Sequence, residues 1–175
     1  MNLKLFTPNQ NNSKITIRDI TVMALMVAVI EVSKLALAHI PNVELTSFWI
    51  IIFTLYFGKR IFYVIPTFIL IEAAIYPFGL WWVMYLYAWP MLALITLCLR
   101  KMKGAWEWSV ISGLFGLCFG VLCAIPYVFT SGIYGGIAYW VTGIPYDLIH
   151  GIANFVIMYV LYKPLNAVMG KLYVK

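Results

Sequence analysis

The sequence predicts an all-α integral membrane protein, a compact bundle of six transmembrane helices with both termini cytoplasmic. Three observations carry that prediction. First, 64% of the 175 residues are hydrophobic and only 10% are charged, with a mean hydropathy of +0.94. A water-soluble core cannot absorb so much apolar surface, and the length suits one bundle. Second, the apolar residues fall into six runs separated by short Pro, Gly or basic punctuation. Third, the basic residues segregate. Lys4, Lys14, Arg18, Lys59, Arg60, Arg100, Lys101, Lys103, Lys163, Lys171 and Lys175 all fall on the side of the N-terminus if the chain crosses six times. By the positive-inside rule that side is the cytoplasm.

The chain divides into a polar cytoplasmic tail, residues 1–15, a membrane domain, residues 16–165, and a basic cytoplasmic tail, residues 166–175. The first helix is expected over about 19–39, after Thr16-Ile17-Arg18, and Pro41-Asn42 forms the turn that follows it. The second, about 45–58, is short for a span and is expected to tilt little or to lie partly inside protein. Lys59-Arg60 separates it from the third, about 61–76. Pro77-Phe78-Gly79 breaks the chain before the fourth, about 80–99. The basic connector 100–104 leads to the fifth, about 106–127. Residues 129–142, rich in Gly and Tyr and free of charge, read as a loop. The sixth helix covers about 143–162 and is expected to close at Lys163-Pro164. The outer loops are then 38–44, 76–80 and 127–142. No apolar core with a cleavage site precedes the first span, which is therefore expected to be retained.

Several function classes recede on composition alone. The formal charge of +6 would point to nucleic acid in a soluble chain, but here its placement sets membrane orientation. Cys98, Cys118 and Cys123 lie in apolar runs without metal-ligand spacing and read as small buried hydrophobes. His39 and His150 are the two histidines, so no paired-His metal motif exists. No Gly-x-x-x-x-Gly-Lys-[Ser/Thr] loop is present, so the chain does not itself cradle ATP phosphates.

The chemistry-bearing residues sit where hydrocarbon should be. Asp147, His150 and Asn154 follow i, i+3, i+7 spacing, which at about 100° per residue puts them on one narrow stripe of the sixth helix. Pro145 suits that helix's first turn, where its missing N–H breaks no bond. A carboxylate, an imidazole and an amide in lipid are costly unless they face protein, water or ligand. At about 1.5 Å per residue, Glu31 and Lys34 lie roughly 18 and 22 Å up the first helix, and Glu72 roughly 16 Å up the third. Every strongly polar intramembrane group thus belongs to the middle or outer half, which argues for an outward-opening site closed below. Trp81, Trp82, Tyr85, Tyr139 and Trp140 flank or fill the outer loops, in excess of an ordinary interfacial belt, and are expected to contact a bulky, flat ligand. The plainer reading of the stripe is a hydrogen-bonded cluster between helices. Ala24 and Ala28 form a small-xxx-small face that lets another helix approach closely. Gly113, Gly116 and Gly120 give similar smooth surface.

Taken in order, these features resemble the substrate-binding S components of energy-coupling factor (ECF) vitamin transporters over about residues 16–165. The likeness rests on six spans in this size, the Thr16-Ile17-Arg18 lead, Ala24xxxAla28, and Gly-Ile-Pro-Tyr-Asp-Leu-Ile-His-Gly-Ile-Ala-Asn from Gly143 to Asn154, ending in Lys163-Pro164-Leu165. The resemblance implies a multi-pass protein of a prokaryotic cell membrane that captures a vitamin from outside. It implies docking through the Ala24–Ala28 face onto a transmembrane coupling subunit that carries two ATPase subunits, with no catalysis, metal or cofactor in this chain. Glu31, Glu72 and Asp147 against Lys34 leave a formal balance of −2, which disfavours an anionic vitamin. A corrinoid such as cobalamin, with wide apolar faces and amide rims, is the expected substrate, and a small cationic vitamin, thiamin or a pyridoxamine-like molecule, is the alternative. An intramembrane enzyme using Asp147 and His150 as an acid/base pair is the competing class; no Ser or Cys nucleophile has an evident place beside His150.

Overall fold

A computed structural model describes residues 15–172. Residues 1–14 and 173–175, which hold nearly all of the expected N-terminal tail and the end of the C-terminal one, lie outside the described residues. The described chain is helical throughout, with turns and no strand. Its helices are α1 (Ile17–Leu37), α2 (Thr46–Phe57), α3 (Ile61–Ile75), α4 (Leu80–Cys98), α5 (Ala105–Leu117) and α6 (Phe119–Leu172). Four stretches are long and apolar enough to cross a membrane: Ile17–Leu37, Thr46–Ile75, Leu80–Cys98 and Ala105–Lys171. Large apolar side chains such as Ile17, Leu25, Val32, Leu70 and Ile152 cover the exterior. The fold is thus compatible with a multi-pass membrane protein.

Helix α1 starts two residues earlier than the sequence pattern indicated because Thr16 caps it. The Asp19 amide donates to Thr16 Oγ1 at 3.2 Å, and the Thr16 amide donates to Asp19 Oδ2 at 3.0 Å. This reciprocal pair satisfies two donors that a helix start leaves orphaned. Asp19 also pairs with Arg60, pinning the start of α1 to the α2–α3 turn. Helix α2 is the centre of the bundle. Its residues 46–48 and 50–54 are buried, and it touches α1, α3, α4, α5 and α6. A short, uniformly apolar helix is what such a position requires.

Two long stretches contain breaks. Gly58, at φ +59°, ends α2 in a conformation that side chains seldom adopt, and one 3-10 turn leads into α3. Gly132, at φ 74° and ψ 175°, interrupts α6 in a region that is essentially reserved for glycine. The chain reverses there. Gly113 lies against Phe155, Gly116 against Gly151, and Gly120 against Asp147. Tyr127 stacks on Tyr139 with ring centroids 4.0 Å apart. The arm 119–131 and the return arm 133–172 therefore run antiparallel, with α5 continuing the first arm below Cys118.

This hairpin corrects the expectation for residues 129–142. They are helical apart from Gly132: Gly135 beside Ser131 and Gly136 beside Val128 and the Ala124 carbonyl leave room for the two arms to approach while each keeps its own backbone hydrogen bonds. The fifth helix is likewise not continuous over 106–127 but breaks at Cys118. Pro164 does not close the last helix, which runs on through Leu172 and absorbs Pro145 and Pro164. Tyr56 Oη, which reaches the Asn166 side chain and, at 3.1 Å, its carbonyl oxygen, ties that extension to the end of α2.

Candidate functional site

The buried side of α1 is Met26, Val27, Ile30 and Glu31, an i, i+1, i+4, i+5 stripe. Glu31 continues an apolar face inward, and Lys34 follows one turn later on the same side. Lys34 forms an ion pair with Glu72 of α3. Its Nζ lies 3.4 Å from Tyr85 Oη of α4, and 5.8, 5.2 and 5.2 Å from the ring centroids of Phe68, Tyr76 and Tyr85. The ammonium is thus boxed by three aromatic faces and one carboxylate. Glu31 is close enough to Glu72 for their carboxyls to interact. Glu72 is 1% exposed and Glu31 8%; beyond their mutual carboxyl contact, the Oε1 oxygen of each has no partner among the described residues.

A second polar group joins α2 to α6. Glu44, just before α2, accepts from the amides of Thr46 and Ser47 and from the Ser47 hydroxyl, the Ser47 amide contact being 3.2 Å. It thereby serves the orphaned donors and positive end of the helix. His150 Nε2 lies 3.3 Å from Glu44 Oε1, and Asn154 Nδ2 donates to Ser47 Oγ at 3.3 Å. Burial alone would push the Glu44 carboxyl up. The His150 bond and charge, with the Ser47 and Thr46 donors, outweigh it and hold the group at about 2. Asp147 Oδ1 accepts from the Gly120 amide at 2.9 Å, a donor freed by the break at Cys118, while Asp147 Oδ2 is buried without a partner.

Aromatic rings connect the two groups. Trp81 lies edge-on to Tyr85 at 5.3 Å, and Tyr85 to Trp89 at 5.2 Å. Trp89 reaches Phe119 at 5.5 Å, and Phe119 meets the His150 ring at 4.8 Å. Trp89 is 2% exposed, and its indole Nε1 donor has no partner.

Of the residues expected to line a site, Glu31, Lys34, Glu72, Trp81 and Tyr85 come together across α1, α3 and α4. Asp147, His150 and Asn154 do share one buried stripe. Trp82 turns instead to α3, donating to the Ile69 carbonyl at 3.2 Å and packing on Phe78. Tyr139 stacks on Tyr127 and reaches Cys123 beside Asp147, whereas Trp140 is 40% exposed on the return arm. One participant escaped the sequence pattern: Glu44 lay in an expected loop, although an acid just ahead of Thr46-Ser47 at a helix start was a signal for it. Trp89, one of the aromatics that follow the second outer loop in sequence, lies buried at mid-helix. Of the cysteines expected to be buried, Cys98 and Cys118 are exposed and Cys123 is partly buried. Ala24 and Ala28 are exposed, so their face is free of internal packing. Among the described residues, no group of three or more His, Cys, Asp or Glu side chains is placed to hold a metal ion.

Compared with family models, curated proteins and solved structures, the chain matches none of them. Among the described residues, buried carboxyl oxygens on Glu31, Glu72 and Asp147 and the Trp89 indole N–H are thus left without hydrogen-bond partners beside a chain of packed aromatic rings.

Proposed function

We propose that this protein is the membrane-embedded substrate-binding subunit of an ECF-type vitamin importer, with six spans, both termini cytoplasmic, in the cell membrane of a prokaryote. One observation carries the reading: among the described residues, four of the five buried side-chain polar atoms without a partner, on Glu31, Glu72, Trp89 and Asp147, lie in the half of the bundle opposite the basic connectors or at its middle. A bundle held together only by interhelical bonds has no use for unpartnered polar atoms, each of which costs about 1–3 kcal/mol. A binding protein does.

In this reading the breaks at Gly58 and Gly132 turn four apolar stretches into six crossings. The ligand enters from outside and rests on the aromatic wall between Glu31–Glu72 and Asp147. A corrinoid such as cobalamin is the proposed substrate, because its wide faces suit that wall and its amide rim supplies donors and acceptors. The Lys34 box favours a second reading, a small cationic vitamin such as thiamin. Energy comes from two ATPase subunits through a transmembrane coupling subunit, and the exposed Ala24–Ala28 face is where that subunit docks.

Purification followed by mass spectrometry of co-purifying small molecules, with calorimetric titration of cobalamin, thiamin and pyridoxamine, tests the reading. Saturable binding of one of them is the expected result; binding of none removes the vitamin assignment. Ala24→Trp should abolish cellular uptake while affinity for the ligand stays unchanged, since a bulky side chain holds apart two helices whose attraction is van der Waals contact.

A further inference from the structure

The Lys34 box has the composition of a recognition site for a nitrogen group that is not its own. An ammonium among three aromatic rings and a carboxylate is the arrangement that selects organic cations and N–H donors. Here that position is filled by a tethered side chain. Lys34 is 25% exposed whereas its partner Glu72 is 1% exposed, so the carboxylate is fixed deep and the ammonium reaches in from a wetter rim. The acceptors outnumber the cation. Glu31 and Glu72 present two mutually interacting carboxyls to one ammonium, and the Oε1 atoms of both have no other partner among the described residues. Trp89 lies edge-on to two rings of the box, Phe68 and Tyr85, at 6.4 and 5.2 Å, and its indole donor has no partner among the described residues. A purely structural ion pair would be complete with Lys34 in place.

We propose that Lys34 is a displaceable stand-in, and that the Glu31–Glu72–Tyr85 box recognises the N–H group, amide or ammonium, of the protein's ligand. The ligand nitrogen replaces Lys34 Nζ, donates to the carboxyl oxygens of Glu31 and Glu72, and lies against Tyr85 and Phe68. Lys34 then swings toward the rim, where water solvates its ammonium. The flexible four-carbon stem of lysine makes that exchange accessible, and its compact head mimics the guest. The inference rests on the reading of this half of the bundle as a ligand site, and it assigns the specificity element within it. The same N–H chemistry is offered by a corrinoid amide and by a cationic vitamin.

Two measurements test it. In Lys34→Met the box loses its tethered cation, so propylammonium, which carries the same head, should raise the melting temperature of that variant saturably. It should leave wild type and Lys34→Met/Glu72→Gln unmoved, with sodium chloride at equal ionic strength as the control. No saturable shift in a folded Lys34→Met overturns the proposal. The second measurement uses wild type and does not depend on any variant folding. Acetylation of Lys34 by an N-hydroxysuccinimide ester, read by peptide mass spectrometry, should rise when cobalamin or thiamin saturates the protein, while Lys101 and Lys103 stay constant. Cobalamin reports an amide guest and thiamin a cationic one. A vitamin that binds by titration yet leaves Lys34 acetylation unchanged or lower overturns the displacement and leaves the vitamin-binding reading intact. Conversely, propylammonium binding to Lys34→Met with no vitamin bound by wild type upholds the box and removes the vitamin assignment. In the binding arm, Glu72→Gln should lose at least about tenfold in affinity for the vitamin that binds.

Discussion

The two polar groups in the bundle differ in how completely they are satisfied. Around Glu44, nearly every polar atom has a protein partner: the α2 amides, Ser47, His150 and Asn154 close on one another. Around Glu72, carboxyl oxygens and a tryptophan donor are buried and left over. Both groups lie among apolar helices, where an unsatisfied atom is expensive, so the difference separates their roles. The Glu44 group works as structural glue that ties the α1–α2 turn to α6. The Glu72 group retains bonding capacity that no described residue uses. Asp147 stands between these cases, with one oxygen on Gly120 and the other unused.

The largest expected effect comes from breaking the Glu72 side. Lys34→Met leaves a carboxylate buried without its cation and should cost about 3 kcal/mol of stability, the low end of the usual range because Lys34 is part-exposed. Lys34→Met/Glu72→Leu should recover most of that loss in thermal unfolding in detergent. Failure to recover would mean that Lys34 is held by its aromatic contacts more than by the pair.

The close approach of helices behind the Glu44 group comes next. A Cβ on Gly116 would fall 2.9 Å from both the Gly151 Cα and the His150 carbonyl oxygen. Gly116→Ala should therefore cost about 2 kcal/mol by forcing the arms apart. Gly143→Ala meets nothing within 4 Å and should be neutral or slightly stabilising. Equal melting temperatures for the two variants would contradict the packing described for the hairpin.

Acid separates the groups more gently. The folded-state value of Glu44, about 2, lies below the ordinary 4.5, so its contribution is complete above about pH 4.5 and is lost as pH falls towards 2. Glu44→Gln should flatten the stability profile in that window and cost about 1–2 kcal/mol at neutral pH. A profile identical to wild type would show that Glu44 is solvated rather than engaged by His150 and the α2 amides.

The smallest effect is expected at Asn154. Leu there removes the donor to Ser47 Oγ while suiting an apolar helix, so stability should fall by about 1 kcal/mol or less. Ligand affinity should change less than in Glu72→Gln, since Asn154 is already engaged with protein. A large loss of affinity with unchanged stability would move Asn154 from the glue to the ligand wall and erase the contrast drawn between the groups.

The sequence by itself determined the all-helical class, the apolar helices and most of their boundaries. These depend on local properties: hydropathy over a helix length, proline and glycine punctuation, and the placement of charge. It also placed Asp147, His150 and Asn154 on one stripe, because helical periodicity fixes relative azimuth within a helix. Tertiary structure decided what periodicity does not carry. Whether residues 129–142 form a loop or two helical arms depended on glycine-lined surfaces meeting across the hairpin, a contact between segments distant in sequence. The partners of His150 and Asn154 came from Glu44 and Ser47, more than 100 residues away. Hydrogen-bond satisfaction is likewise a property of assembled neighbours. Only packing α1, α3 and α4 together left Glu31, Glu72 and Trp89 with polar atoms to spare, while the Glu44, Ser47, His150 and Asn154 side chains closed on one another.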